Sequence, residues 1–204
     1  IGVPAFIATL AISKINDGFV NLLTEGKTMF YSNWPPAFKW LGQGYIGPIP
    51  IPVIIFVLFI LFGWIVMNKT YLGRMIYALG GNKEAARLAG INVDKLTVMV
   101  YAFAGFAASI AALIMVARTN ASQPGAGSSY PFDCMTAACL GGISIAGGEG
   151  KISGAVIGVI IIGVLDNGLV LMGVNSNFQS VVKGIILLLA VAIDCYEAKS
   201  KKKA

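Results

Sequence analysis

Gly80-Gly81-Asn82-Lys83-Glu84-Ala85-Ala86-Arg87-Leu88-Ala89-Gly90 is a short polar stretch set between two long apolar ones. Its residues spell a helix of about two turns. Asn82 is a strong N-cap, and Glu84 puts a negative charge in the first turn, at the positive end of the helix dipole. Gly90 supplies the left-handed residue that stops the helix. A helix this short is not stable alone in water, so neighbours must hold it. Ala85, Ala86 and Ala89 leave a smooth surface that another protein can approach closely. The plain alternative is an ordinary loop helix on the water side of a membrane.

The chains on either side of this stretch decide the class. Of 204 residues, 57% are hydrophobic and only 12% charged, about half the charge of a soluble domain. Apolar runs lie near 3–23, 50–67, 96–117, 133–148, 152–173 and 178–195. At 1.5 Å per residue, about 20 residues cross a hydrocarbon layer of about 30 Å. Four runs are long enough without qualification. The first is interrupted by Lys14, Asn16, Asp17 and Gly18, and the fourth is short and rich in glycine and alanine. The expected fold is all-α: a polytopic transmembrane bundle with about six spans and a short cytoplasmic coupling helix. Residues 1–204 read as a single membrane domain, with 68–95 as a cytoplasmic loop inside it. The chain opens without a Met, inside an apolar run, and reads as the C-terminal part of a longer protein.

Lysine and arginine set the orientation, because they concentrate on the cytoplasmic side. The loop 68–95 carries Lys69, Arg74, Lys83, Arg87 and Lys95, and the tail carries Lys199, Lys201, Lys202 and Lys203. Both are expected in the cytoplasm. An even number of crossings must join them, so 133–148 must cross along with 96–117, 152–173 and 178–195. The loop 24–49 then lies outside, with Tyr31, Trp34, Trp40 and Tyr45 suited to the interface. With Lys151, ten positive residues fall inside against three outside, which accounts for the basic balance without nucleic acid. The recurring small residues Ala104, Ala108 and Ala112, and Gly154 and Gly158, favour close helix approach in lipid.

The chemistry of an enzyme is missing. There is no histidine, no carboxylate pair with catalytic spacing and no metal-binding pattern; Cys134, Cys139 and Cys195 read as small buried residues. Gly148-Glu149-Gly150-Lys151-Ile152-Ser153 imitates a phosphate loop but fails twice: Ile145 stands where a glycine is required, and Ile152 follows the lysine. No cofactor is expected in this chain. What stands out is polar residues inside apolar spans, which are costly and mark function by default. Asp166 and Asn167 lie mid-span, and Lys183 lies about a turn and a half into the last span. Either Asp166 lines a water-filled route, or it pairs with Lys183 across two antiparallel helices. Lys14 and Asp17 are three apart and can share a helix face.

Four blocks of this chain resemble the permease subunits of ABC importers, in particular the monosaccharide (ribose/galactose/xylose-type) branch. They are Thr70-Tyr71-Leu72-Gly73-Arg74 with Tyr77-Ala78-Leu79-Gly80-Gly81-Asn82; Glu84-Ala85-Ala86, three residues, then Gly90; Gly141-Gly142-Ile143-Ser144-Ile145-Ala146-Gly147-Gly148-Glu149-Gly150; and Leu165-Asp166-Asn167-Gly168-Leu169. The resemblance implies a multi-pass protein of the bacterial cytoplasmic membrane that moves a monosaccharide by alternating access. It implies three partners: an ATP-hydrolysing subunit that holds ATP-Mg, a second permease copy as a homodimer, and an extracytoplasmic sugar-binding protein. Asn82, Glu84, Ala85, Ala86 and Gly90 are then the coupling residues, with Arg74 and Arg87 as flanking electrostatic contacts. The segments 24–49, 119–132 and 174–177 become docking surfaces for the binding protein. Asp166 departs from the pattern, which favours a neutral Asn there. Two rival classes remain: an ion-coupled secondary transporter working through Asp166, and a membrane scaffold indifferent to changes in 80–90.

Overall fold

The computed structural model describes residues 5–30 and 33–201, with side chains from residue 7 onward except at 194, 195 and 197–201. Tyr31, Lys202 and Lys203 therefore lie outside the described residues, and only the backbone is described at Cys195, Lys199 and Lys201. The architecture is helical, with two small antiparallel ribbons, and falls into two compact units: Ile1–Ile55 with Ala104–Ser128, and Phe56–Phe103 with Ser129–Ala204.

In the first unit, α1 (Ala5–Thr24) precedes a two-residue strand β1 (Met29–Phe30) and a short helix α2 (Pro36–Gln43). β1 pairs with β4 (Ala121–Ser122), so Met29 faces Ser122. α2 starts on Pro36, where a proline costs nothing because the first N–H has no helical partner. The ribbon of β2 (Tyr45–Ile46) and β3 (Ile49–Pro50) then leads into α3 (Ile51–Lys69). α2 lies against the end of α6 (Val93–Thr119): the Gln43 amide donates to the carbonyls of Ala117 and Arg118 at 3.1 and 3.2 Å. A Cβ on Gly42 would sit 2.5 Å from the Ala117 backbone, so only glycine allows this approach.

The second unit holds the 80–90 stretch and the helices after residue 129. α4 (Tyr71–Gly81) follows α3 at Thr70, whose hydroxyl donates to Val66 O at 2.6 Å and accepts from Gly73 N. α5 (Lys83–Leu88) comes next, followed by α6. α7 (Tyr130–Leu140), α8 (Ile152–Leu171) and α9 (Ser176–Lys201) pack as a group. α7 runs antiparallel to α8: a Cβ on Gly158 would overlap Ala137 O, and one on Gly154 would overlap Gly141 O. The Gly154/Gly158 spacing read from the sequence thus has α7 as its partner. Ala104, Ala108 and Ala112 of α6 remain exposed.

Among the described residues four helices are long and apolar enough to cross a membrane: α3, α6, α8 and α9 over Ser176–Ile193. The expected count of about six is not confirmed, because two of the expected runs stand outside these four. α1 is 20 residues long but is broken in character by Lys14 and Asp17, whose charged groups lie 3.7 Å apart on one exposed face. The run 133–148 is not one helix. α7 has 11 residues, about 17 Å, roughly half the hydrocarbon thickness. It stops at Gly142 (φ +72°), where Gly142 N–H donates to Cys139 O and Ile143 N–H to Ala138 O, closing the helix with a Schellman turn.

Candidate coupling helix and intramembrane charge cluster

The 80–90 stretch folds as its residues dictate. Asn82 caps α5: its Oδ1 accepts from Glu84 N–H and Ala85 N–H, both at 3.0 Å. Glu84 occupies the first turn. At the other end Gly90 takes φ +83°; its N–H donates to Arg87 O and that of Ile91 to Ala86 O, both at 3.0 Å. This is a Schellman stop, which needs the left-handed residue. Ala86 is buried and anchors the helix. Glu84, Ala85, Arg87 and Ala89 are exposed, and Leu88 is 89% exposed. Arg74 is exposed, its guanidinium 5.4 Å from the Tyr71 ring centroid.

A second contact ties this region to the bundle. Gly147 and Gly148, at φ +91° and +80°, pack backbone to backbone on Gly80 and Gly81, the last residues of α4. A Cβ on Gly80 would lie 2.5 Å from Gly148 N, and one on Gly148 would lie 2.7 Å from Gly81 Cα. Tyr77 fixes the same junction, its hydroxyl donating to Gly150 O at 2.8 Å. The failed phosphate loop is therefore a packing element. Gly147 and Gly148 are there because no side chain fits between α4 and the segment that joins α7 to α8.

The polar residues of the spans converge elsewhere. Lys183 Nζ lies 2.9 Å from Asp166 Oδ2 and 3.1 Å from Asp133 Oδ2. The three side chains come from α9, α8 and α7. The side chains of Lys183 and Asp133 are 22% and 17% exposed. Asp166 lies five residues before the end of α8 and Lys183 seven after the start of α9, about 8 and 10 Å from the helix ends. Two carboxylates share one ammonium, and Asp166 Oδ1 is buried without a hydrogen-bond partner. Asn167 is the next residue of α8 but is exposed and stands apart from the cluster. Sequence reasoning considered Lys183 with Asp166 and passed over Asp133. The available signal was that Asp133 is an acid at the start of the fourth apolar run; the sequence alone does not place it beside α9. Among the described residues no group of histidine, cysteine, aspartate or glutamate could hold a metal ion.

Residues 2–191 match the family described as branched-chain amino acid transport system / permease component. The chain belongs to that permease family. Its relatives include the Ribose import permease protein RbsC of Escherichia coli (strain K12), 45% identical over 202 residues, which cover 94% of this chain and 60% of the relative. RbsC of Bacillus subtilis (strain 168) is 44% identical over 189 residues, 93% of this chain and 59% of that protein. The Xylose transport system permease protein XylH of Escherichia coli (strain K12) is 46% identical over 155 residues, covering 76% and 39%. The chain thus spans about 60% of the length of the ribose permeases it matches. No solved structure matches. Four apolar helices suit a permease, and the cluster of Asp133, Asp166 and Lys183 is the polar feature that a membrane interior makes costly.

Proposed function

We propose that this permease chain forms part of the membrane-spanning subunit of an ATP-driven importer for a monosaccharide of the ribose or xylose kind. It works by alternating access in the bacterial cytoplasmic membrane, with α5 and the tail on the cytoplasmic side. The names of its relatives supply the substrate class. The observation that carries the mechanism is α5: a helix of six residues, capped at both ends, held to the protein by Ala86 and presenting Leu88 and Ala85 to solvent. Such a helix suits a groove on an ATP-hydrolysing subunit, with Glu84, Arg74 and Arg87 as the charged rim. A second permease copy and an extracytoplasmic sugar-binding protein complete the assembly. The paired ribbon β1–β4 and α2 offer the latter a platform within the first unit. Movement of α5 passes to α4, to Gly147-Gly148 and so to α7. The sugar and ATP act on this equilibrium only through their different affinities for its two end states.

The test uses the full-length protein reconstituted with its ATP-hydrolysing subunit and binding protein. Glu84→Lys and Gly90→Val are expected to abolish sugar-stimulated ATP hydrolysis while membrane insertion is retained. Unchanged coupling in both variants refutes the role of α5. Uptake that needs no ATP and collapses with an ionophore refutes the importer and favours ion coupling through Asp166.

A further inference from the structure

A cavity of about 270 Å³ opens beside the charge cluster, between α7 and α9. Its walls include Ser129, Phe132, Asp133, Thr136, Ser180 and Lys183. An apolar helix pair in a membrane has no structural need for this lining. Polar side chains at this depth face a bundle interior or a water-filled cavity. From these residues we infer that the cavity is a binding subsite for a neutral polyhydroxylated ligand on the transport route. The inference rests on the reading of the chain as a sugar permease.

The chemistry of the walls selects that ligand class. Lys183 uses two N–H directions on the Oδ2 atoms of Asp133 and Asp166, and an ammonium has three. The third can donate to a hydroxyl oxygen. Thr136 Oγ1 donates to Phe132 O at 2.7 Å and Ser180 Oγ to Ser176 O at 3.2 Å, so each hydroxyl keeps its lone pairs for an incoming O–H. Asp133 Oδ1 adds a charged acceptor, and hydrogen bonds to ionised groups are the strong ones. Phe132, half exposed, offers a ring to the C–H face of a sugar. Two carboxylates against one ammonium repel an anion, so sugar acids and sugar phosphates are excluded. A cation is disfavoured because Lys183 already stands between the acids.

The binding protein would mask this subsite in a transport assay, so the measurement is made on the full-length permease without it. Binding of D-ribose and D-xylose is measured by saturation-transfer NMR and calorimetry for the unaltered protein, Ser180→Ala and Asp133→Asn, with 2-deoxy-D-ribose, gluconate and putrescine as competitors. Expected are measurable sugar binding, roughly tenfold weakening in each variant, weaker competition by the deoxy sugar and none by gluconate or putrescine. Ser180→Ala changes only an exposed hydroxyl and is expected to keep the melting temperature of the unaltered protein. No sugar binding to the permease, equal binding in both variants, or displacement by putrescine in place of sugar overturns the subsite. Sugar-stimulated ATP hydrolysis by the complete complex is measured in parallel: if it persists while the subsite fails, the importer reading stands; if no monosaccharide stimulates it, both fall.

Discussion

Gly158→Ala tests whether α7 is seated on α8 as described. The glycine lies in the middle of α8, where an added Cβ would overlap Ala137 O and come within 2.8 Å of Ala137 C and 3.1 Å of Gly141 N. All three are backbone atoms, so no side-chain rotation relieves them and the helices must separate. Gly163, five residues on, has nothing within 4 Å of the same position and serves as the control. Both substitutions gain about 1 kcal/mol of helix propensity, which cancels in the comparison. The difference between them isolates the overlap. Overpacking costs about 1–3 kcal/mol, and a rigid backbone neighbour places this case in the upper half, about 2–3 kcal/mol. Thermal and denaturant unfolding of the full-length permease in detergent, followed by tryptophan fluorescence, is expected to show Gly163→Ala no less stable than the unaltered protein. Gly158→Ala should fall below Gly163→Ala by that amount. Equal stability of the two variants, within about 0.5 kcal/mol, would mean that α7 does not lie on α8, and with it the grouping of Asp133 with Asp166 and Lys183 would be wrong.

Lys183→Met removes the single ammonium from two part-buried carboxylates and is expected to destabilise the permease by about 1–3 kcal/mol, the cost of leaving charged acceptors without their donor; the double variant carrying Asp133→Asn as well should recover part of it in the same unfolding assay. Tyr77→Phe deletes the donor to Gly150 O and is expected to cost about 1 kcal/mol globally. Hydrogen exchange should locate the loosening in 141–151, and protection unchanged there would show that the hydroxyl does not hold the α4 junction.

The sequence was explicit wherever the signal is local. Asn82, Glu84 and Gly90 predict where α5 begins and ends because capping and left-handed backbone are decided within a few residues. The long apolar runs at 50–67, 96–117, 152–173 and 178–195 correspond to α3, α6, α8 and α9 because length and hydropathy alone suffice to fill a hydrocarbon layer. The same reasoning reaches less far at 133–148, where α7 ends at Leu140. Counting crossings says that the chain must return but is silent on how, and the glycines that end α7 at 141–142 were read as part of a short span.

Composition and local pattern therefore determined the membrane class, the short capped helix and the presence of charge inside the spans. Tertiary structure alone decided that Gly158 meets Ala137, that Gly147 and Gly148 brace Gly80 and Gly81, and that Asp133 joins Asp166 at Lys183. The reason is physical. A capped turn is fixed by atoms three or four residues apart, whereas these contacts join residues 17 to 68 positions apart in sequence. They depend on which helices the chain brings together, and no local propensity encodes that choice.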